Sequence, residues 1–202
     1  MTAPTVFVVD DDEAVRQALC MLIRSVGMTV EAYSTGAEFL STYDNARAGC
    51  LILDLRMPGL SGLQVQDQLA ARGALLPILF ITGHGDVPVA VRALKAGALD
   101  FIEKPFNDQD LLDRVHKALR VDAARREAAA EVAGVRSRYE RLTPREREIL
   151  EHLYEGRSNK ETARDLELSE RTVELHRARV MEKMGAESLP ALVRQIARLK
   201  EP

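Results

Sequence analysis

The chain contains no tryptophan, its aromatic residues amount to only 4%, and it has just two cysteines. The shortage of large rings argues against a small-ligand pocket walled by aromatic side chains. Cys20 and Cys50 lie inside apolar segments without metal-ligand or redox-motif spacing, so both are expected to be buried, reduced thiols with no chemistry of their own. No apolar run approaches the length needed to cross a bilayer. The chain passes from Met1 straight into a strand-like segment, with no basic, apolar and small-residue sequence of an export signal. A cytoplasmic protein without membrane association is therefore expected. Basic charge is not in excess either: the formal net charge is −3, with 15 acidic and 11 basic groups in residues 1–120 and 12 of each in residues 142–202. Any nucleic-acid binding must then rest on where charges stand rather than on how many there are.

What is present is the composition of an ordinary globular chain, 46% hydrophobic and 29% charged over 202 residues, long enough for one medium domain and one small one. Thr5 to Val9 is a β-branched and aromatic run that ends in Asp10, Asp11 and Asp12, a buried strand opening into an acidic loop. Val15, Leu19, Leu22, Ile23 and Val26 then recur at helical spacing, and Gly27 stands where a left-handed cap would close the helix. The pattern repeats. Strands are expected at Thr29–Tyr33, Cys50–Leu53, Pro77–Ile81 and Leu99–Ile102, with helices near 35–42, 61–72, 86–96 and 108–120. Five β/α units predict an α/β domain with a parallel, doubly wound, flavodoxin-like sheet whose functional loops lie at the carboxyl ends of the strands. Residues 121–141 are rich in Ala, Arg and Glu with few apolar positions, which reads as a solvated, helical linker.

Four strand ends carry polar groups: Asp10 and Asp11 after the first, Asp54 after the third, Thr82 after the fourth and Lys104 just beyond the fifth. In a five-stranded doubly wound sheet these converge on one crevice. Packed carboxylates repel one another, so they bind a cation or raise a pKa. A hard divalent ion such as Mg²⁺ suits oxygen ligands, while Lys104 offsets phosphoryl charge and the Thr82 hydroxyl donates to a phosphoryl oxygen. This is equipment for phosphoryl transfer.

The first 120 residues, through DDD, LDLRMPG, FITGHG and FIEKPF in that order, closely resemble the receiver domain of two-component response regulators. The resemblance implies that Asp54 is the phosphoacceptor, and that Mg²⁺ is held by Asp10, Asp11, Asp54 and the backbone carbonyl of Arg56, with Asp12 facing the loop exterior. It also implies that Gly83 leaves room for the phosphoryl group, that the Lys104–Pro105 bond is cis, and that Arg56 and His84 flank the pocket mouth. The resemblance implies further that on phosphorylation Thr82 moves toward the phosphate and Phe101 swings inward. Phe101 has no hydroxyl, so its inward rotamer leaves no polar group to satisfy. The surface that changes runs from Val87 to Phe101, the fourth helix and fifth strand, and homodimerisation through it is expected.

Residues 142–202 read as a separate all-α domain of four helices. Thr143 with Glu146, and Ser158 with Glu161, have capping-box spacing; Pro144 stands at a first helical position, and Ser169 and Ser188 cap two further helices. Leu150, Leu153, Ala163, Val173, Val180, Met184, Leu192 and Ile196 supply a small core. The second and third helices, joined at Glu167 and Leu168, have the lengths of a helix-turn-helix. LTPREREIL and GRSNKETARDLELSERTVELHRARVMEKM strongly resemble the LuxR-type effector domain of the FixJ and NarL branch of response regulators. This implies that the helix from Glu170 enters the major groove of promoter DNA, presenting Arg171, Thr172, Glu174, Leu175, His176, Arg177, Ala178 and Arg179. Glu174 can accept from cytosine, Arg177 can grip guanine or a phosphate, and Asn159 and Lys160 are placed for backbone contact.

The expected function is thus a DNA-binding transcription regulator. A sensor histidine kinase phosphorylates it, it acts as a dimer, and it recruits RNA polymerase as an activator. The only chemistry expected is the receiver's own phosphoryl transfer and autodephosphorylation. An aspartyl-phosphate phosphatase of the haloacid-dehalogenase type would carry a second Asp two residues after its nucleophile, where this chain has Arg56. A ligand-sensing regulator of the acyl-homoserine-lactone type lacks the acidic constellation. A phosphorylation-independent regulator with a vestigial receiver is a third reading, set against the presence of all five core groups.

Overall fold

The computed structural model describes residues 3–83 and 87–200. The chain divides into two compact units, residues 1–126 and 127–202.

In the first unit, β1 (Thr5–Val9), β2 (Thr29–Tyr33), β3 (Gly49–Asp54), β4 (Ile78–Thr82) and β5 (Asp100–Glu103) form one parallel sheet in the order β2-β1-β3-β4-β5. Thr5 pairs with Thr29 and Gly49, and Thr82 with Glu103, so the strands end together at one edge. Side chains alternate across the sheet, as strand geometry demands. Phe7, Val9, Leu51, Leu53 and Phe80 form one fully buried layer with Phe39 and Leu40 of α2 (Gly36–Thr42), Val65 and Leu69 of α3 (Gly62–Ala71) and Ala93 of α4 (Val87–Lys95). Val6, Val8, Ile52 and Ile81 form the other with Leu19 and Ile23 of α1 (Glu13–Ser25) and Leu111 and Val115 of α5 (Asp108–Glu140). Each such aliphatic or aromatic side chain contributes about 1.5–3 kcal/mol on burial. Because every residue of β1, β3 and β4 is buried on one face or the other, these strands read in the sequence as continuous apolar runs.

α1 begins where the Asp12 carboxylate accepts the amides of Ala14 and Val15, and it closes at Gly27 with φ 77°. α3 opens on a full capping box between Ser61 and Gln64. Its first residue is Gly62 because a Cβ there would stand 2.4 Å from the Asp54 carbonyl oxygen. No other residue lets the loop pass this close to the end of β3.

Residues 121–140 form the outer part of α5 and are mostly exposed, but the structure departs from a fully solvated stretch at two buried positions. Asp122 is 1% exposed and Val135 is 1% exposed. Asp122 Oδ2 accepts the Gly49 amide at 2.9 Å, and both its oxygens take the Arg126 Nε at 2.9 Å. Arg126 in turn donates to the carbonyls of Asn45 and Arg47. A buried carboxylate is tolerable here because every donor around it is committed.

The second unit holds the end of α5 together with α6 (Pro144–Tyr154), α7 (Asn159–Asp165), α8 (Glu170–Met184) and α9 (Leu189–Lys200). Val135, Leu142, Ile149, Leu150, Val173, Val180 and Met184 form its core. Capping boxes at Thr143/Glu146 and Ser158/Glu161 open α6 and α7, and the Ser169 hydroxyl accepts the Thr172 amide at the start of α8. The turn between α7 and α8 carries Glu167 at φ 54°, the left-handed region, in a residue with a full side chain. Lys183 donates to the buried Glu146 at 2.7 Å and so ties α8 to the head of α6. Among the described residues no helix is long and apolar enough to cross a membrane.

Candidate functional site

Because β1, β3, β4 and β5 end at the same edge of the sheet, their terminal residues share one cavity of about 420 Å³. It is lined by Asp10, Asp11, Asp12, Asp54, Leu55, Arg56, Thr82, Gly83 and Lys104. Asp10 and Asp54 are buried, Thr82 is buried beside them, and Asp11 is exposed at the rim. Lys104 Nζ stands between the two buried carboxylates, 2.8 Å from Asp10 Oδ2 and 2.7 Å from Asp54 Oδ1. The Lys104–Pro105 bond is cis, in agreement with the sequence-based expectation.

The other oxygen of each carboxylate also takes a backbone donor. Asp12 donates its amide to Asp10 Oδ1 at 2.9 Å, Arg16 donates to the Asp10 carbonyl at 2.8 Å, and the Arg56 amide donates to Asp54 Oδ2 at 2.7 Å. Burial pushes the Asp54 carboxyl above its ordinary pKa, against the opposing pull of the Lys104 ammonium. Burial also works against the Lys104 charge, but the hydrogen bonds to Asp10 and Asp54 outweigh it and leave its pKa raised. The pocket therefore holds a fixed ammonium beside a partly desolvated carboxylate.

Gly83 faces open space, where even a Cβ would meet nothing within 4 Å. The Thr82 hydroxyl donates to the Gly83 carbonyl at 3.3 Å. Phe101 is half-buried against the cluster that contains Phe80 and Ala93, and it pairs with Phe80 across β4 and β5. His84 lies outside the described residues. Asp12, expected at the loop exterior, is exposed but committed to capping α1. Sequence reasoning missed that role, although an Asp directly before a helical run is its usual signal. It also missed Arg16, one helical turn in, which anchors the Asp10 carbonyl.

Among the described residues no three carboxylate, imidazole or thiol side chains form a ready-made metal nest. The donor chemistry nevertheless fits a hard divalent cation: Asp10, Asp11, Asp54 and the main chain of Arg56 bring oxygen to one cavity that contains no soft ligand. A larger cavity of about 580 Å³, between α1 and Pro105–Phe106, shares only Lys104 with the acidic one and is mostly apolar. Its charged lining residues are Lys104 and Asp108, without the paired buried carboxylates of the acidic cavity.

In the second unit, Arg171, Glu174, Leu175, Ala178 and Arg179 are exposed along α8, and Lys160 is exposed on α7. Thr172, His176, Arg177 and Asn159 are half-buried, so the presented face is narrower than expected. The Thr172 hydroxyl pairs with Ser169 in the cap, 2.7 Å away, and His176 Nδ1 is buried without a partner among the described residues. Arg177 donates through a terminal guanidinium nitrogen to the Asn159 side-chain oxygen at 2.7 Å.

An acidic pocket at the carboxyl edge of a parallel sheet and a two-helix reading head on one chain point to a particular family. Residues 6–116 match the response regulator receiver domain, and residues 140–196 match the bacterial regulatory proteins of the luxR family. The chain belongs to the response regulators. It is 45% identical to the response regulator protein TodT of Pseudomonas putida, over 98% of this chain and 88% of that one. It is 43% identical to the transcriptional regulatory protein FixJ of Rhizobium meliloti, over 96% and 95%. Among solved structures, the response regulator StyR matches with a TM-score of 0.87 and 43% identity, over 98% of this chain and all of that one. Full-length FixJ from B. japonicum matches with a TM-score of 0.61 and 41% identity, over 98% of each. This response regulator is therefore a two-component transcriptional regulator with a LuxR-type DNA-binding domain. Its receiver implies a sensor kinase as partner, and receivers of this family are generally magnesium-dependent.

Proposed function

We propose that Asp54 is the phosphoacceptor and that its phosphorylation controls DNA binding by the second unit. The observation that carries this is the placement of Lys104 Nζ between Asp10 and Asp54 in a cavity that also holds Asp11, Arg56, Thr82 and Gly83. In the transfer, an Asp54 oxygen attacks the phosphorus of a kinase phosphohistidine; the P–N bond breaks, a P–O bond forms, and the imidazole leaves. Lys104 balances charge on the phosphoryl oxygens, the Thr82 hydroxyl donates to one of them, and Gly83 leaves room for the group. Asp10, Asp11, Asp54 and the Arg56 carbonyl would hold Mg²⁺, which when bound supplies further charge neutralisation. Hydrolysis of the same acyl phosphate by water resets the switch, and no other turnover is assigned to the chain.

Movement of Thr82 toward the phosphate lets Phe101 turn inward and changes the α4–β5 surface, through which two copies associate. The dimer then engages paired half-sites in a promoter with the exposed residues of α8, acting as an activator that recruits RNA polymerase. The deciding experiment is phosphoryl labelling from acetyl phosphate in the presence of Mg²⁺. Wild type is labelled and Asp54→Asn is not; undiminished label on Asp54→Asn overturns the assignment.

A further inference from the structure

We propose that Arg177 is a clamp for the DNA phosphate backbone and Asn159 its positioning residue, with base selection left to the exposed crest of α8. This deepens the DNA-binding reading and rests on it.

Arg177 lies four residues after Val173 and three before Val180, both fully buried. In an α-helix those offsets share one side, so Arg177 emerges beside the buried stripe. At 100° per residue it stands about 120° around the helix from the exposed Arg171. When a helix lies in the major groove its crest faces the base edges and its flanks face the walls, which are phosphate. Arg171, Glu174, Leu175 and Ala178 occupy the crest. Arg177 occupies the flank turned toward α7, where Asn159 receives its guanidinium at 2.7 Å.

The chemistry of the partner matters as much as its place. Asn159 is neutral, so it fixes the guanidinium without cancelling its charge and leaves the other donors of the fork free for a pair of phosphate oxygens. A carboxylate would have neutralised it, as Glu146 does for Lys183 in the same unit. Holding the long side chain in advance removes part of the ordering cost that an untethered arginine meets on binding. Lys160, exposed next to Asn159 in the chain, adds a second positive charge on the same flank.

The test uses the full-length chain treated with acetyl phosphate and Mg²⁺, a duplex selected from a randomised library, and a shuffled duplex of equal length, titrated across several salt concentrations. Arg177→Ala weakens binding to both duplexes by the same factor, about tenfold, and lowers the slope of log affinity against log salt by about 1. Asn159→Ala and Arg177→Lys keep the charge, so each weakens both duplexes about threefold to tenfold at the wild-type slope. Asn159→Ala adds nothing in the Arg177→Ala background. Selection repeated with Arg177→Ala returns the wild-type sequence. A relaxed preference at any base position in that selection, or additive effects of the two alanine substitutions, overturns the clamp. A wild-type chain that binds neither duplex overturns the DNA-binding reading together with it.

Discussion

Lys104 and Asp54, fifty residues apart in the chain, meet at 2.7 Å. The contact links the last strand of the sheet to its central one and sets a positive charge at the proposed acceptor. Replacing Lys104 by Ala should slow acetyl phosphate labelling of Asp54 by about a hundredfold. Arg at the same position should recover only part of this, because its planar fork does not fit a point-charge position between two carboxylates. Equal labelling rates for the alanine variant and wild type would remove Lys104 from the proposed mechanism.

The face proposed for self-association carries exposed apolar side chains, Val91 at 42% and Leu94 at 36% exposure. Val91→Glu is expected to leave phosphoryl labelling intact while abolishing phosphorylation-dependent dimerisation, since a buried unpaired carboxylate at the interface opposes association. Sedimentation of acetyl phosphate-treated protein reads the outcome. A dimeric variant places the interface elsewhere.

Glu146 is buried, and burial pushes its carboxyl up. The Lys183 hydrogen bond, with the Thr143 amide and hydroxyl, more than offsets this and leaves its pKa below the usual 4.5. A depressed folded-state value means that the carboxylate stabilises the fold fully above pH 4.5 and loses that contribution as the pH falls through the folded value. Glu146→Gln should cost about 1–3 kcal/mol at pH 7 and much less below the folded value. Urea unfolding of the two proteins at both pH values measures the difference; a cost that does not change with pH contradicts it.

Asp122→Ala strands the Gly49 amide and the Arg126 Nε–H together and removes the charge partner of Arg126, which should destabilise the first unit by about 2–4 kcal/mol. Asp122→Asn, which retains an acceptor for Gly49, should cost less. Thermal unfolding ranks them, and an alanine variant as stable as wild type would show that water serves both donors equally well.

Burial, with the Asp122 carboxylate nearby, pushes the Cys50 thiol up to about 12. At pH 8 it is held as a thiol, the unreactive form. Iodoacetamide should leave Cys50 unmodified in the folded protein and alkylate it only after denaturant is added, as peptide mass analysis would show.

β1 and β2 were legible to the residue, because each is a β-branched run bounded by polar or glycine punctuation, and the same clarity placed α8. The ends of β3, β4 and β5 were displaced by a residue, since Asp54, Thr82 and Glu103 are polar side chains that complete a strand rather than follow it. The polar groups around the acidic pocket were legible for the same reason: each interrupts an apolar run at a strand end. Contacts between distant segments were not. Asp122 meets Gly49 across 73 residues, and Arg177 meets Asn159 across 18. Neither follows from a period of two or of 3.6, so the first segment read as solvent-facing and the arginine as part of an exposed face.

The order of strands along the chain also dictates when this chemistry can begin during synthesis. Asp10 and Asp54 leave the ribosome early, whereas Lys104, which compensates them, is delivered only with the final strand. A nascent or truncated receiver that ends before residue 104 holds two acids with no cation to reconcile them. It cannot complete that edge of the sheet, and under the proposed mechanism it takes up a phosphoryl group no faster than the Lys104→Ala variant, so full signalling competence awaits a receiver made to its end.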